Sequence, residues 1–218
     1  MGLNKVKEGS QMYQGLVTHT WNPIRGLCPH SCSYCSIKRI YHRFNKPQSE
    51  TFLDEKEFKT NLGSGNFIFV GSANDLFADT IQFKWIEAIL EYCEKFDNRY
   101  LFQTKNPLNM PKIMPEKAMI ATTIETNRWY YEMGKSPHPL KRTIANVDMV
   151  TIEPIMDFDI YELVEMIYHC SPNQVNIGAD SGHNHLPEPP KEKIFELIAE
   201  LEKFTTVYQK SNLKRLLI

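Results

Sequence analysis

An open, incomplete TIM-like βα barrel of six to seven parallel strands, in one domain spanning residues 1–218, is the fold this sequence predicts. Three observations predict it. Short β-rich runs recur along the chain, and apolar residues between most of them follow helical spacing. The 218-residue length also falls short of the ~250 residues typical of a closed eight-unit barrel.

The β-rich runs are LVTHTW (16–21), NFIFV (66–70), YLFQT (100–104), AMIATTI (118–124), DMVTIEP (148–154), QVNIGA (174–179) and TTVYQ (205–209). Ile86, Ile89, Leu90, Cys93 and Phe96 form one helical stripe. Ile160, Leu163, Val164 and Ile167 form a second, and Ile194, Leu197, Ile198, Leu201 and Phe204 a third. Strands alternating with amphipathic helices imply parallel pairing through right-handed crossovers. A doubly wound open sheet is the alternative, but no Gly-rich dinucleotide fingerprint accompanies it. In either architecture ligands gather beyond the C-terminal ends of the strands, so the residues that follow each run are the candidate site.

Composition excludes several classes. Apolar residues make up 42% of the chain and charged residues 23%, which is enough to build a sizeable core. The formal net charge of -1 gives no general attraction to nucleic acid or an anionic membrane, and leaves only local patches. No apolar run approaches the ~20 residues that span a bilayer. The N-terminal stretch MGLNKVKEGSQMYQG has no apolar signal core, and although Gly2 follows Met1, Lys7 sits near where a myristoylation signal wants Ser or Thr, which argues against lipidation. A cytoplasmic location is therefore expected. Five cysteines are too few, and odd in number, for a disulfide scaffold.

Three of those cysteines fall within eight residues, as Cys28-x-x-x-Cys32-x-x-Cys35, directly after the first β-rich run. Pro23 and Gly26 suit an irregular loop before them, and a helix can begin near Cys35. Three soft thiolates on one short loop can face one metal centre. Iron–sulfur clusters take Cys thiolates, commonly four, so three leave one iron open to a small molecule. A zinc site completed by His30 or His42 is the alternative reading. Cys93, on an apolar stripe, and Cys170, at a helix end, read as packing residues.

The loop resembles the cluster-binding loop of the radical S-adenosylmethionine superfamily, C-x-x-x-C-x-aromatic-C, with Tyr34 as the aromatic residue. The segments THTWNPIRGLCPHSCSYC, FVGSANDLF, LFQTKNP, ATTIETN, TIEPI and NIGADSG, in that order, resemble a phage and bacterial branch of the superfamily whose members mostly lack assigned substrates. The resemblance implies a cluster-binding loop over residues 22–35, with Cys28, Cys32 and Cys35 holding a [4Fe–4S] cluster. Reductive cleavage of S-adenosylmethionine there would give a 5′-deoxyadenosyl radical that abstracts hydrogen from a substrate. It also implies an external electron donor of flavodoxin or ferredoxin type, and Tyr34 beside the cofactor.

Each remaining strand end offers candidates. Gly71, Ser72 and Asp75 follow the second run, where the superfamily carries a Gly-rich motif meeting the amino group of S-adenosylmethionine. This chain lacks the usual Gly-Gly-Glu spelling, and an ordinary strand-to-helix turn is the other reading. Lys105 follows the third run and suits a carboxylate or phosphate. Thr123 and Glu125 close the fourth, and the resemblance places them at the ribose or methionine end of the cofactor. Glu153, ending an apolar strand, is costly to bury unpaired and is a catalytic candidate. Asp180 follows the sixth run, with Ser181 and Lys210 as further substrate contacts. His183 and His185 read as turn residues. Lys38, Arg39, His42 and Arg43 recur at helical spacing as a basic face, either solvated or suited to an anionic substrate, a nucleotide or nucleic acid. An iron–sulfur electron carrier or sensor and a zinc-stabilised binding module are the competing functions.

Overall fold

The computed structural model describes residues 3–7 and 12–218. Gly2, weighed as a lipidation site, lies outside the described residues together with residues 8–11. The chain is α/β. Its strands are β1 (Asn4–Lys5), β2 (His19–Trp21), β3 (Ile24–Arg25), β4 (Phe52–Leu53), β5 (Phe67–Val70), β6 (Arg99–Thr104), β7 (Ala118–Thr123), β8 (Met149–Ile152), β9 (Gln174–Ile177) and β10 (Thr206–Gln209). Its α-helices are α1 (Ser36–Arg43), α2 (Phe83–Glu94), α3 (Ile160–Cys170) and α4 (Lys191–Leu201). Among the described residues, no helix is long and apolar enough to cross a membrane.

Eight strands, in the order β1-β2-β5-β6-β7-β8-β9-β10, make a mostly parallel sheet that is not closed. Each of the seven β-rich runs contributes a strand to it. The eighth strand was not expected: β1 pairs antiparallel with β2, setting Asn4 opposite Thr20. A two-residue polar strand has no period to detect. The same holds for the separate antiparallel pair β3–β4, where Ile24 faces Leu53.

By compactness the chain divides into two units. The first comprises Met1–Pro29, Ile37–Thr104 and Asn109–Ile120; the second comprises His30–Ser36, Lys105–Leu108 and Ala121–Ile218. Strand β7 belongs to both, since its first three residues fall in the first unit. In the first unit β2, β5 and β6 are parallel, with Trp21 opposite Val70 and Val70 opposite Phe102. Trp21, Leu62, Ile68, Phe77, Ile86, Ile89, Cys93 and Phe102 share one buried apolar cluster. The α2 stripe predicted by spacing supplies Ile86, Ile89, Leu90 and Cys93 to it. Cys93 is a packing residue there, and burial pushes its thiol well up.

The second unit continues with β8, β9 and β10 in parallel register, Val150 opposite Val175 and Val175 opposite Val207. Helix α3 buries Leu163, Met166, Ile167 and Cys170, and α4 buries Ile194, Leu197, Ile198 and Leu201. Every β8 residue is buried, as befits a strand covered on both faces. Helix α3 ends where Ser171 turns into the left-handed region, at φ 47°.

The packing can be tested in the first unit. Ile89→Ala removes a side chain with no exposed surface from the cluster and should cost about 2–5 kcal/mol, read from urea unfolding. Glu87→Ala, on the exposed face of the same helix, should change stability by no more than about 0.5 kcal/mol.

Candidate functional site

Glu125 lies two residues beyond the end of β7 and has no exposed surface. An ionised carboxylate in that position needs partners. Three side chains supply them. Arg142 Nη1 donates to Glu125 Oε2 at 2.5 Å, and Lys105 Nζ and the Tyr34 hydroxyl both donate to Oε1. Lys105 also donates to the Tyr34 hydroxyl at 3.4 Å, with its ammonium 5.3 Å from the centre of the Tyr34 ring. The arrangement brings together three residues singled out in the sequence, Tyr34, Lys105 and Glu125. Both oxygens of Glu125 are thus turned to its own chain.

Arg142 was not anticipated. It is as buried as Glu125, and all five of its N–H groups are engaged. Besides Glu125 they reach Pro137 O at 2.7 Å, Thr123 O at 3.1 Å, Ser136 Oγ at 2.9 Å and Met133 Sδ at 3.7 Å. In the sequence it reads as a loop residue, within PHPLKRT. The only cue was indirect: a carboxylate buried at a strand end demands a buried cation. Thr123 contributes its carbonyl to this site, while its hydroxyl pairs with Thr151 Oγ1 at 2.9 Å.

The charges set each other's protonation. Burial pushes the Glu125 acid up, but Arg142 and Lys105 outweigh it and hold the group down to about 2. Burial and the Glu125 carboxylate together raise the Tyr34 phenol well above its usual range, so it remains a donor. Burial also pushes the Cys32 thiol up, against the pull of Lys105 and Arg142.

The cysteine loop is held from its other side by residues 132–136. Ser33 N donates to Glu132 O at 2.9 Å, Lys135 N to His30 O at 2.6 Å, and the Cys32 thiol to Met133 O at 3.3 Å. Gly134 makes this approach possible. It has φ 62°, and a Cβ there would lie 2.4 Å from His30 O. Cys32 is buried, and Cys28 and Cys35 are partly exposed. Helix α1 begins immediately after Cys35, as expected. Among the described residues no three His, Cys, Asp or Glu side chains are grouped to hold a single metal ion. A four-iron cluster takes its ligands on separate irons and does not need them around one point. Three thiols on one short loop are the donor set such a group takes.

The other candidates make contacts of their own. In the first unit, Gly71 turns the chain at φ 75°, and Ser72 Oγ and Ala73 N both donate to Asn22 Oδ1, at 3.2 and 2.8 Å. Asp75 is buried, accepting from Thr104 Oγ1 at 2.8 Å and Phe77 N at 3.0 Å. In the second unit, Glu153 pairs with Lys210 at 2.5 Å and accepts from Asn212 Nδ2 at 3.1 Å. Asn212 also donates to Ser181 Oγ at 2.7 Å, which joins Ser181 and Lys210 to Glu153. Asp180 accepts from Gly182 N at 2.9 Å and Asn184 Nδ2 at 2.6 Å, so its carboxylate organises its own loop. Burial raises the Asp180 acid, but those hydrogen bonds bring it below the usual range. His183 and His185 are exposed residues of the irregular loop after the turn at 181–182, with φ 51° and 56°.

Residues 15–193 match the model of a family described as "Protein of unknown function (DUF5131)". No curated protein matches the chain. No solved structure matches it either.

The buried pair makes a pH-dependent prediction. Glu125→Gln leaves Arg142 without its counter-charge and should destabilise the protein by about 3–5 kcal/mol at neutral pH. A carboxyl held at about 2 in the folded state, against 4.5 as its ordinary value, contributes fully above 4.5 and loses its contribution as pH falls through about 2. The gap in melting temperature between wild type and Glu125→Gln should therefore be widest near pH 7 and close between pH 4.5 and 2. A gap constant over that interval would contradict an ionised Glu125.

Proposed function

We propose that this chain, which belongs to the DUF5131 family of proteins of unknown function, is a radical S-adenosylmethionine enzyme built on an open, incomplete βα barrel. One observation carries the reading. Tyr34, the aromatic residue of the Cys-x-x-x-Cys-x-Tyr-Cys loop, is hydrogen-bonded to the buried carboxylate beyond the end of β7. The cysteine loop is thereby tied to a strand-end residue, on the side of the sheet where α/β folds gather their ligands.

Cys28, Cys32 and Cys35 would hold a [4Fe–4S] cluster. Bound there with S-adenosylmethionine, it supplies a carbon-centred radical able to take hydrogen from an unactivated C–H bond. The remaining roles fall to the chain. Tyr34 and Lys105 border the loop and offer an aromatic face and an ammonium to the cofactor. Glu125 and Arg142 hold those two groups in place. Gly71 and Ser72 lie in the turn after β5 and Asp75 follows it; these three are the candidates for the methionine part of the cofactor. Thr123, as a strand-end residue, belongs to the same set. Glu153, paired with Lys210 and partly exposed, is a polar group available to orient a substrate, and Asp180 shapes the loop beyond β9. The electron enters from an external donor of flavodoxin or ferredoxin type.

The substrate in this reading is polar and anionic, of nucleotide or nucleic-acid type. Helix α1 supports it. It carries Lys38, Arg39, His42 and Arg43, has no acidic residue and buries no side chain. With a net charge of -1 on the whole chain, such binding would come from this patch and fall with salt.

The test is chemical. Protein prepared without oxygen should contain iron and acid-labile sulfide in comparable amounts. With a reductant it should release 5′-deoxyadenosine from S-adenosylmethionine. Replacing Cys28, Cys32 or Cys35 by Ala should abolish iron and sulfide retention, whereas Cys93→Ala should not. Stoichiometric zinc without sulfide would replace this reading with a zinc-stabilised module. A cluster that leaves S-adenosylmethionine intact would replace it with an electron carrier or sensor.

A further inference from the structure

We infer that Arg142 is the positioning residue of the cysteine loop, holding Cys32 and Tyr34 in place through two separate hydrogen-bonded arms that meet on its guanidinium. The inference rests on the cluster reading for its purpose, but its geometry is independent of any bound group.

The first arm runs from Arg142 Nη1 to Glu125 Oε2 at 2.5 Å, across the carboxylate, and from Oε1 to the Tyr34 hydroxyl. The second runs from Arg142 Nη2 to Ser136 Oγ at 2.9 Å, then from Ser136 Oγ to Met133 O at 2.8 Å. The same carbonyl accepts the Cys32 thiol at 3.3 Å. The two arms end two residues apart on the same loop, on either side of Ser33, whose own N–H is held by Glu132 O. Arg142 Nε anchors the assembly to Pro137 O, and its second Nη1 hydrogen bond anchors it to Thr123 O, at the end of β7. A planar fork with five donors can hold this many acceptors in fixed directions; a lysine ammonium cannot.

Why a loop carrying metal ligands should be hung this way follows from the energetics of preorganisation. A loop closed before the group binds spends less binding energy on ordering its ligands, although Cys32 gives up its S–H donation to Met133 O when it binds as a thiolate. Cys32 is the central ligand of the three and the only buried one. Its protection from solvent is therefore a direct measure of whether the arms are in place.

The experiment uses the full chain, freed of metal under reducing, oxygen-free conditions, with iodoacetamide as the probe. Alkylation of each cysteine is followed by peptide mass spectrometry. In the wild type, Cys28 and Cys35 should react readily, and Cys32, Cys93 and Cys170 slowly, since these three are buried. Two variants are compared. Arg142→Lys keeps the charge and loses the fork. Arg142→Met combined with Glu125→Gln removes both charges, so neither is left buried without a partner. Each should speed alkylation of Cys32 by at least about tenfold through local opening, while Cys93 and Cys170 stay as slow as in wild type. Iron and sulfide retention should fall in parallel. Cys32 rates within about twofold of wild type in both variants would overturn the inference. So would simultaneous exposure of all three buried cysteines in both variants, since Arg142 would then support the fold at large rather than the loop. If wild type binds neither iron nor sulfide while Cys32 is released selectively, the positioning role stands and the cluster reading falls. If the cluster loads and Cys32 stays protected, the reverse holds.

Discussion

The carboxylate of Glu125 has no contact with solvent, and its charge must be met from within the chain. Arg142 meets it from one side; Lys105 and Tyr34 meet it from the other. Two cations against one anion leave the group with a positive excess beside the cysteine loop. That excess offsets part of the cost that burial imposes on an ionised Cys32 thiolate. The local backbone follows the same demand. Residues 132–142 bend so that Met133, Ser136, Pro137 and Arg142 converge, and Gly134 is where the bend passes closest to the cysteine loop.

Buried ion pairs are weak evidence for stability, because desolvation offsets most of their Coulombic gain. The value of this one lies in specificity. Replacing the set by apolar side chains would leave Tyr34 without its acceptor and Ser136 without its donor. A second charged set in the same unit differs in kind. Arg128 reaches Asp157 and Asp159, and Lys193 pairs with Asp157 at 2.6 Å, all in partly exposed positions where screening leaves little net energy. Those contacts orient the chain between residues 126 and 130, where the Thr126 and Tyr130 hydroxyls also donate to Asp157 O. The buried set orients the cysteine loop.

Several strand-end residues chosen for chemistry turn out to satisfy groups of their own chain. Asp75 accepts from the backbone of Phe77 in its own loop and from Thr104 at the end of β6, and Asp180 accepts from Gly182 and Asn184 in its own loop. A short acidic side chain after a strand competes for nearby N–H groups, which is also why such residues favour turns. Glu153, with a longer arm and a lysine partner, keeps its carboxylate partly exposed and remains the stronger candidate for contact with a substrate.

The alternation of strands and helices was legible in the residues alone, because hydrophobic period is a local property that each segment carries by itself. All seven β-rich runs contribute strands, and the stripes ending in Phe96, Ile167 and Phe204 locate α2, α3 and α4. The two-residue strands β1, β3 and β4 were not legible, since two residues have no period. At the site, Tyr34, Lys105 and Glu125 could be named from their places after strands, and the three cysteines from their spacing. Their mutual contact could not, for Tyr34 and Glu125 lie 91 positions apart. Arg142 could not be named at all. A charge in a proline-bounded loop looks solvated, and only tertiary packing, by burying Glu125 beside it, decided that this arginine is the counter-charge the loop hangs from.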